Sequence, residues 1–185
     1  RMPDGGGVDL LKYIKEKDVF SPKILFLSGY SDYSLEEMLD LGVDGFFSKP
    51  FSATNVRDEI LSALRPDTEK WQISSEDIEV EENIEVHFQD ISAAEQENQI
   101  KFGRGGFKLL VPNLFVKEGS KIAFRIHFEN GPILLITGKG EVLWRHEEET
   151  QQVFLGIKIL ELDEASLGFY QELIQNRKMV CFIPQ

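Results

Sequence analysis

The side chains best placed to meet a charged ligand are Lys101 and Arg104, followed at once by Gly105-Gly106. An ammonium and a guanidinium beside backbone that carries no Cβ make a small positive spot able to greet a phosphate. Other chemistry is thinly represented. His87, His127 and His146 have no metal-ligand spacing with one another or with Cys181, so they read as strand residues and no metal is expected. There is no nucleophile paired with a base and no glycine-rich phosphate loop ending in Lys-Ser/Thr, so no catalytic residues are assigned and the chain is expected not to be an enzyme. Trp71, Phe88, Phe102 and Phe107 have the chemistry of a stacking surface, but packing in a core or at a domain interface is the more frequent use of such residues.

The chain of 185 residues is 42% hydrophobic and 28% charged, a mixture that folds. Lys and Arg number 20 against 32 Asp and Glu, a formal charge of -12 that repels phosphate backbones and acidic lipid, so neither nucleic acid nor membrane is an expected partner. The acidity is local. Residues 67–99 hold 11 acids and one base, Lys70, with Glu76, Asp77, Glu79, Glu81, Glu82 and Glu85 at the centre. That stretch reads as a solvated connector, placed at 67–83, between a unit at 1–66 and a second at 84–185. The single cysteine excludes an intramolecular disulfide and fits a reducing compartment, so a cytoplasmic location is expected. No apolar run approaches the ~20 residues of a membrane span. The opening residues lack the apolar core of a secretory signal, and Arg1 reads as a cut edge.

The elements that must position these groups change period at the connector. Val8, Leu11 and Ile14 recur at helical spacing, and Ile24 to Leu27 is a short apolar run of the kind a buried parallel strand shows. Ser34 with Glu37 forms a capping box for a helix closed by Gly42. A strand from Gly45 to Ser48 ends at Lys49-Pro50-Phe51, and Val56, Ile60, Ala63 and Leu64 stripe a last helix before Pro66. This order predicts part of a parallel α/β sheet. Beyond the connector Ile122, Phe124, Ile126 and Phe128 alternate with Ala123, Arg125 and His127 as in a half-buried strand. Shorter runs at Ile133 to Ile136, Glu141 to Trp144 and Val153 to Ile159 are separated by turns at Asn130-Gly131-Pro132 and Gly138-Lys139-Gly140. Leu167, Tyr170, Leu173 and Ile174 share a face of a closing helix, so the second unit is expected to be an antiparallel barrel or sandwich with a C-terminal helix.

Residues 1–66 resemble the C-terminal half of a bacterial response-regulator receiver domain, a flavodoxin-like α/β fold. The resemblance rests on Met2-Pro3 with a following glycine, Ser28 ending a buried strand, Phe46, and Lys49-Pro50-Phe51. It implies that Ser28 contacts a phosphoryl group, Lys49 pairs with it, and Phe46 is the aromatic switch. A hydroxyl and an ammonium at neighbouring strand ends suit a dianion. The family's phosphoacceptor aspartate and acidic Mg²⁺ pair would lie upstream of Arg1; Asp4 and Asp9 do not occupy the acceptor position, so this chain is not expected to take phosphate in the receiver manner.

Residues of about 84 to 176 resemble a PilZ domain, the small β-barrel that commonly binds cyclic di-GMP. The matching stretches are Gly105-Gly106-Phe107, Lys117-Glu118-Gly119, Gly140-Glu141-Val142-Leu143-Trp144 and Gly156-Ile157-Lys158-Ile159. The departures bear on function. PilZ binders carry an Arg-x-x-x-Arg motif before the first strand, yet no arginine occurs between Arg65 and Arg104. In the later Asp/Asn-x-Ser-x-x-Gly motif, Gly106 matches the last position while Lys101 and Gly103 replace the first and third; Asp90-Ile91-Ser92 mimics its beginning by coincidence.

The combined expectation is a non-enzymatic two-component signalling protein: a partial receiver joined to a degenerate PilZ output that acts through protein contacts, as a homodimer and with no cofactor. The alternative is a cyclic di-GMP receptor with a non-standard site at Lys101, Arg104, Gly105 and Gly106.

Overall fold

The computed structural model describes residues 6–29, 33–66, 69–72, 78–112, 115–148 and 152–185. Arg1, Met2-Pro3, Asp4, Glu76 and Asp77, named above, lie outside the described residues.

The first region alternates helix and strand as its periodicity predicts: α1 (Gly7–Lys17), β1 (Leu25–Ser28), α2 (Leu35–Asp40), β2 (Gly45–Ser48) and α3 (Ala53–Ala63). Strands β1 and β2 pair in parallel, with Phe26 opposite Phe46 and Ser28 opposite Ser48. The capping box at α2 forms in full, since the Ser34 hydroxyl accepts from the Glu37 N–H at 3.1 Å and Glu37 accepts from the Ser34 N–H at 2.7 Å. On α1 the buried stripe is Val8, Leu11 and Lys15, so a charged residue extends the face that was expected to run through Ile14. The stripe expected on α3 is not covered: no residue of that helix is buried, and Ile60, Leu61 and the following Leu64 are exposed.

The second region is a mixed six-stranded half-barrel sheet with a C-terminal helix. Its strands are β3 (Glu82–Phe88), β4 (Ile100–Phe102), β5 (Gly106–Pro112), β6 (Lys121–Phe128), β7 (Leu135–Glu147) and β8 (Gln152–Leu162), with α4 (Ile91–Gln96) before β4 and α5 (Glu164–Arg177) after β8. The spatial order is β3-β6-β7-β8-β5-β4. The expectation of an antiparallel sheet needs correction at one edge, because β3 joins β6 in parallel; α4, β4 and β5 lie between them in the chain and supply the crossover that parallel pairing requires. A second correction concerns Gly138-Lys139-Gly140. It does not turn the chain but lies inside the long strand β7, with a register irregularity between Lys139 and Gly140. A Cβ on Gly138 would meet the Glu161 carbonyl oxygen at 2.1 Å, so glycine lets the strand bend and continue against β8.

Two apolar layers result from this sheet. Its inner face packs Phe107, Phe124, Ile126 and Leu155 under α5, whose Tyr170 hydroxyl lies 2.8 and 2.6 Å from the Gly103 and Gly106 carbonyls. Burial, with Cys181 adding to it, holds that phenol well above its ordinary value, so it remains a donor. The second layer joins the two regions: Trp144 and Phe154 of the sheet pack with Val8, Leu11, Met38, Leu39, Val43 and Ile183. Burying each such aliphatic or aromatic side chain stabilises by ~1.5–3 kcal/mol, so these regions are held together by more than their connector.

The connector is not wholly solvated where it is described. Trp71 stacks edge-on against Tyr170 at 5.4 Å between ring centroids, and its carbonyl accepts from the Leu162 N–H at 2.8 Å. Among the described residues no helix is long and apolar enough to cross a membrane.

Candidate functional site

Parallel pairing of β1 and β2 brings Ser28 and Lys49 to neighbouring strand ends, where the Lys49 N–H donates to the Ser28 carbonyl at 2.8 Å. Lys49 is exposed and Ser28 half-buried. Phe46 stacks on Phe26, with centroids 6.2 Å apart and planes at 22°, and packs against the apolar layer shared with Trp144 and Phe154.

The other group of sequence candidates is divided. Lys101 is exposed on β4, directly opposite Lys108 on β5. Lys108 is buried, donates to the Asn98 side chain at 2.8 Å and lies 4.8 Å from the centre of the Phe154 ring. Burial, then the Lys101 charge, lowers its ammonium pKa. Arg104 points away from Lys101's solvent and is 6% exposed. Its guanidinium makes a charge-assisted bond to Asp44 at 2.8 Å and donates to the Gly42 carbonyl at 2.8 Å, while Nε reaches the Val180 carbonyl at 3.1 Å. Three acceptors therefore take up the fork that a phosphate would need.

Asp44 collects charge from both regions. Its second oxygen accepts from the Ile24 N–H at 2.8 Å and from Lys15 Nζ at 3.3 Å. Burial, the largest single influence, would raise this carboxyl, but the charge and hydrogen bond of Arg104, the Ile24 N–H and the Lys15 charge together outweigh it and hold the carboxyl below the usual value. Lys15 is in turn lowered, by burial first and the Arg104 charge second, with Asp44 opposing. A further ion pair, Lys158 to Glu59 with both carboxylate oxygens at 2.7 Å, crosses between the same regions.

The segment 178–185 is the third component. Lys178 turns the chain out of α5 in the left-handed conformation, at φ 47°. The following residues run between the two regions as a strap. The Arg104 and Gly105 N–H groups donate to the Cys181 and Phe182 carbonyls at 2.9 and 2.8 Å, and the Phe182 N–H donates to the Leu39 carbonyl at 2.8 Å. The Gln185 N–H donates to Asp40 at 3.0 Å. Two glycines admit the strap. Gly42 sits at φ +94° with the Val180 carbonyl oxygen where a Cβ would be, and Gly105 faces the Phe182 ring at distances no Cβ could tolerate. Gly106 likewise lies against the Ile157 carbonyl. Arg104 and Asp44 open onto a cleft of about 680 Å³ that Glu59, Lys158 and Phe182 also line.

Sequence reasoning missed Asp44, Lys15 and the strap; the three histidines are strand residues as expected, on β3, β6 and β7. Asp90-Ile91-Ser92 proves to be a helix start, Asp90 accepting from the Ala93 N–H at 2.8 Å. His87 and His127, 40 positions apart in the chain, are register partners on β3 and β6 with rings stacked at 4.4 Å. A Glu-x-His step on a strand was the available signal, since alternation puts both side chains on one face. No family model, curated protein or solved structure matches the chain.

Proposed function

We propose that this chain is a non-enzymatic bacterial signalling protein in which a response-regulator-type receiver unit is fused to a degenerate PilZ unit that acts through protein contacts. The observation carrying this reading is the use made of Arg104. It is the one arginine between Arg65 and Arg125, and it is bound to Asp44 of the first region. The residue that a cyclic dinucleotide would most need thus fastens the two units together. Lys101 remains as an exposed cation without a guanidinium beside it.

The receiver reading draws support from Ser28 and Lys49 at adjacent parallel strand ends, the edge of an open α/β sheet where ligands bind. Phe46 offers the route onward. A rearrangement at those strand ends would move an aromatic ring that already packs on the layer holding Trp144 and Phe154, so the output sheet would feel it directly. On this reading the protein works in the cytoplasm. Its partner is first a second copy, contacting the β1 side of the small sheet: Leu27 is exposed and only β2 pairs with β1 among the described residues.

Calorimetric titration of untagged protein with cyclic di-GMP is the test. The reading predicts no saturable heat, and a stoichiometric, saturable heat would refute it in favour of a non-standard nucleotide site.

A further inference from the structure

We infer that Glu85, His87 and His127 form a binding site for one first-row transition-metal dication of the zinc class on the solvent side of the β3–β6 pair. Parallel register sets His87 directly opposite His127, and Glu85 precedes His87 by two residues, hence on the same face. One ligand atom from each residue lies within 4.8 Å of the other two.

The position of His127 Nε2 is what separates this cluster from an ordinary surface group. That nitrogen is out of contact with solvent and has no hydrogen-bond partner among the described residues. It nevertheless stands 2.9 Å from Glu85 Oε1, with His87 Nε2 3.7 Å from the same oxygen. A buried imidazole nitrogen without a hydrogen-bond partner thus sits beside an anionic oxygen, and a cation held between them is an occupant that satisfies both. Tetrahedral bonds of ~2.0–2.1 Å separate donors by about 3.3 Å, a value between the two observed distances. Closing the set requires the stacked imidazoles to hinge apart at their far edges. His87, whose side chain is 69% exposed, has the freedom to do so.

The donor set selects the ion. Two imidazoles with one carboxylate suit Zn²⁺ and its neighbours and leave at least one position open, whereas Ca²⁺ and Mg²⁺ take oxygen-rich sites. Arg125 lies opposite Glu85 in register, a positive charge that works against the metal.

The experiment is calorimetry of ZnCl₂ into untagged, chelator-stripped protein just above neutral pH, with ring proton spectra recorded on the same samples. The expected result is one equivalent bound, at least ~10-fold weaker binding in His87→Ala and in His127→Ala, and Zn²⁺-induced shifts of the His87 and His127 ring signals while His146 stays in place. Excess MgCl₂ should not compete. His87 is exposed, so its variant tests ligation without disturbing the core. Absence of saturable binding, wild-type affinity in the doubly substituted His87→Ala, His127→Ala chain, or shifts confined to His146 would each overturn the assignment.

Discussion

Arg104 and Asp44, 60 residues apart in the chain and drawn from different regions, meet at 2.8 Å with side chains only 4% and 3% exposed. A buried ion pair is weak evidence for net stability, because desolvating both ions offsets most of their attraction. Removing one partner is another matter. Without Asp44 the guanidinium would stay buried with its carboxylate gone, and without Arg104 the carboxylate would keep only Lys15, at 3.3 Å, as a counter-charge.

Arg104→Ala and Asp44→Asn are each expected to destabilise the protein by ~3–5 kcal/mol in urea unfolding. Arg104→Lys should recover little of this, since one ammonium cannot reproduce a planar fork bonded to three acceptors. A loss below ~1 kcal/mol in the two disruptive variants would contradict the burial argument.

Acid stability should carry the signature of Asp44. Its folded carboxyl titrates below the ordinary value of 3.8, so folding binds fewer protons there and the stabilisation is complete above that value. It is lost as pH falls through the folded value. Asp18, also lowered, chiefly by accepting from the Phe20 and Ser21 N–H groups, contributes to the same limb. The stability curve of Asp44→Asn should therefore fall less steeply below pH 4 than that of the parent; identical slopes would remove Asp44 from the account.

Cys181 reports on the strap. Burial first, and the Asp40 charge second, push its thiol up, so the nucleophilic thiolate is scarce and half-shielded. Reaction with an aromatic disulfide should be slow in the native chain and fast in Arg104→Ala, where the bond to the Val180 carbonyl is gone. Equal rates in the two proteins would mean the strap does not depend on Arg104.

The proposed self-association uses β1, which among the described residues pairs only with β2. Light scattering should give twice the 21.2 kDa chain mass, and Leu27→Lys, at the one exposed position of β1, should shift the protein towards monomer. A parent chain that is monomeric throughout would show that β1 tolerates its open side.

What the sequence made legible was local. The Ser34–Glu37 capping box, the alternation of Ile122 to Phe128 and the α5 face carrying Tyr170, Leu173 and Ile174 all follow from spacing within one element. So does the delivery of Ser28 and Lys49 to strand ends. The remainder depended on pairings that leave no local trace. Nothing around Asp44 announces an arginine 60 residues on. Glycines at 138 and 140 carry the same turn signal whether the chain reverses or bends, and only the close approach of Glu161 and Lys158 backbone decides between them. Of the histidine cluster only the Glu85–His87 step was legible, since antiparallel pairing was expected and the parallel register of β3 with β6 is what brings His127 alongside.

The central claim is that the two regions form one cooperative unit fastened through Arg104 and Asp44. A double-mutant cycle of Asp44→Asn and Arg104→Gln, followed by urea unfolding with tryptophan fluorescence and far-UV circular dichroism together, tests it most directly. Trp71 of the connector packs on Tyr170 and Trp144 lies on β7 in the layer shared with the smaller region, whereas far-UV circular dichroism sums the helices of both regions, α1 to α3 among them. The account predicts coincident transitions in the parent chain and a coupling energy of at least ~2 kcal/mol between the two substitutions. Separate transitions for the two signals in the parent chain, together with additive effects of the substitutions, would contradict it.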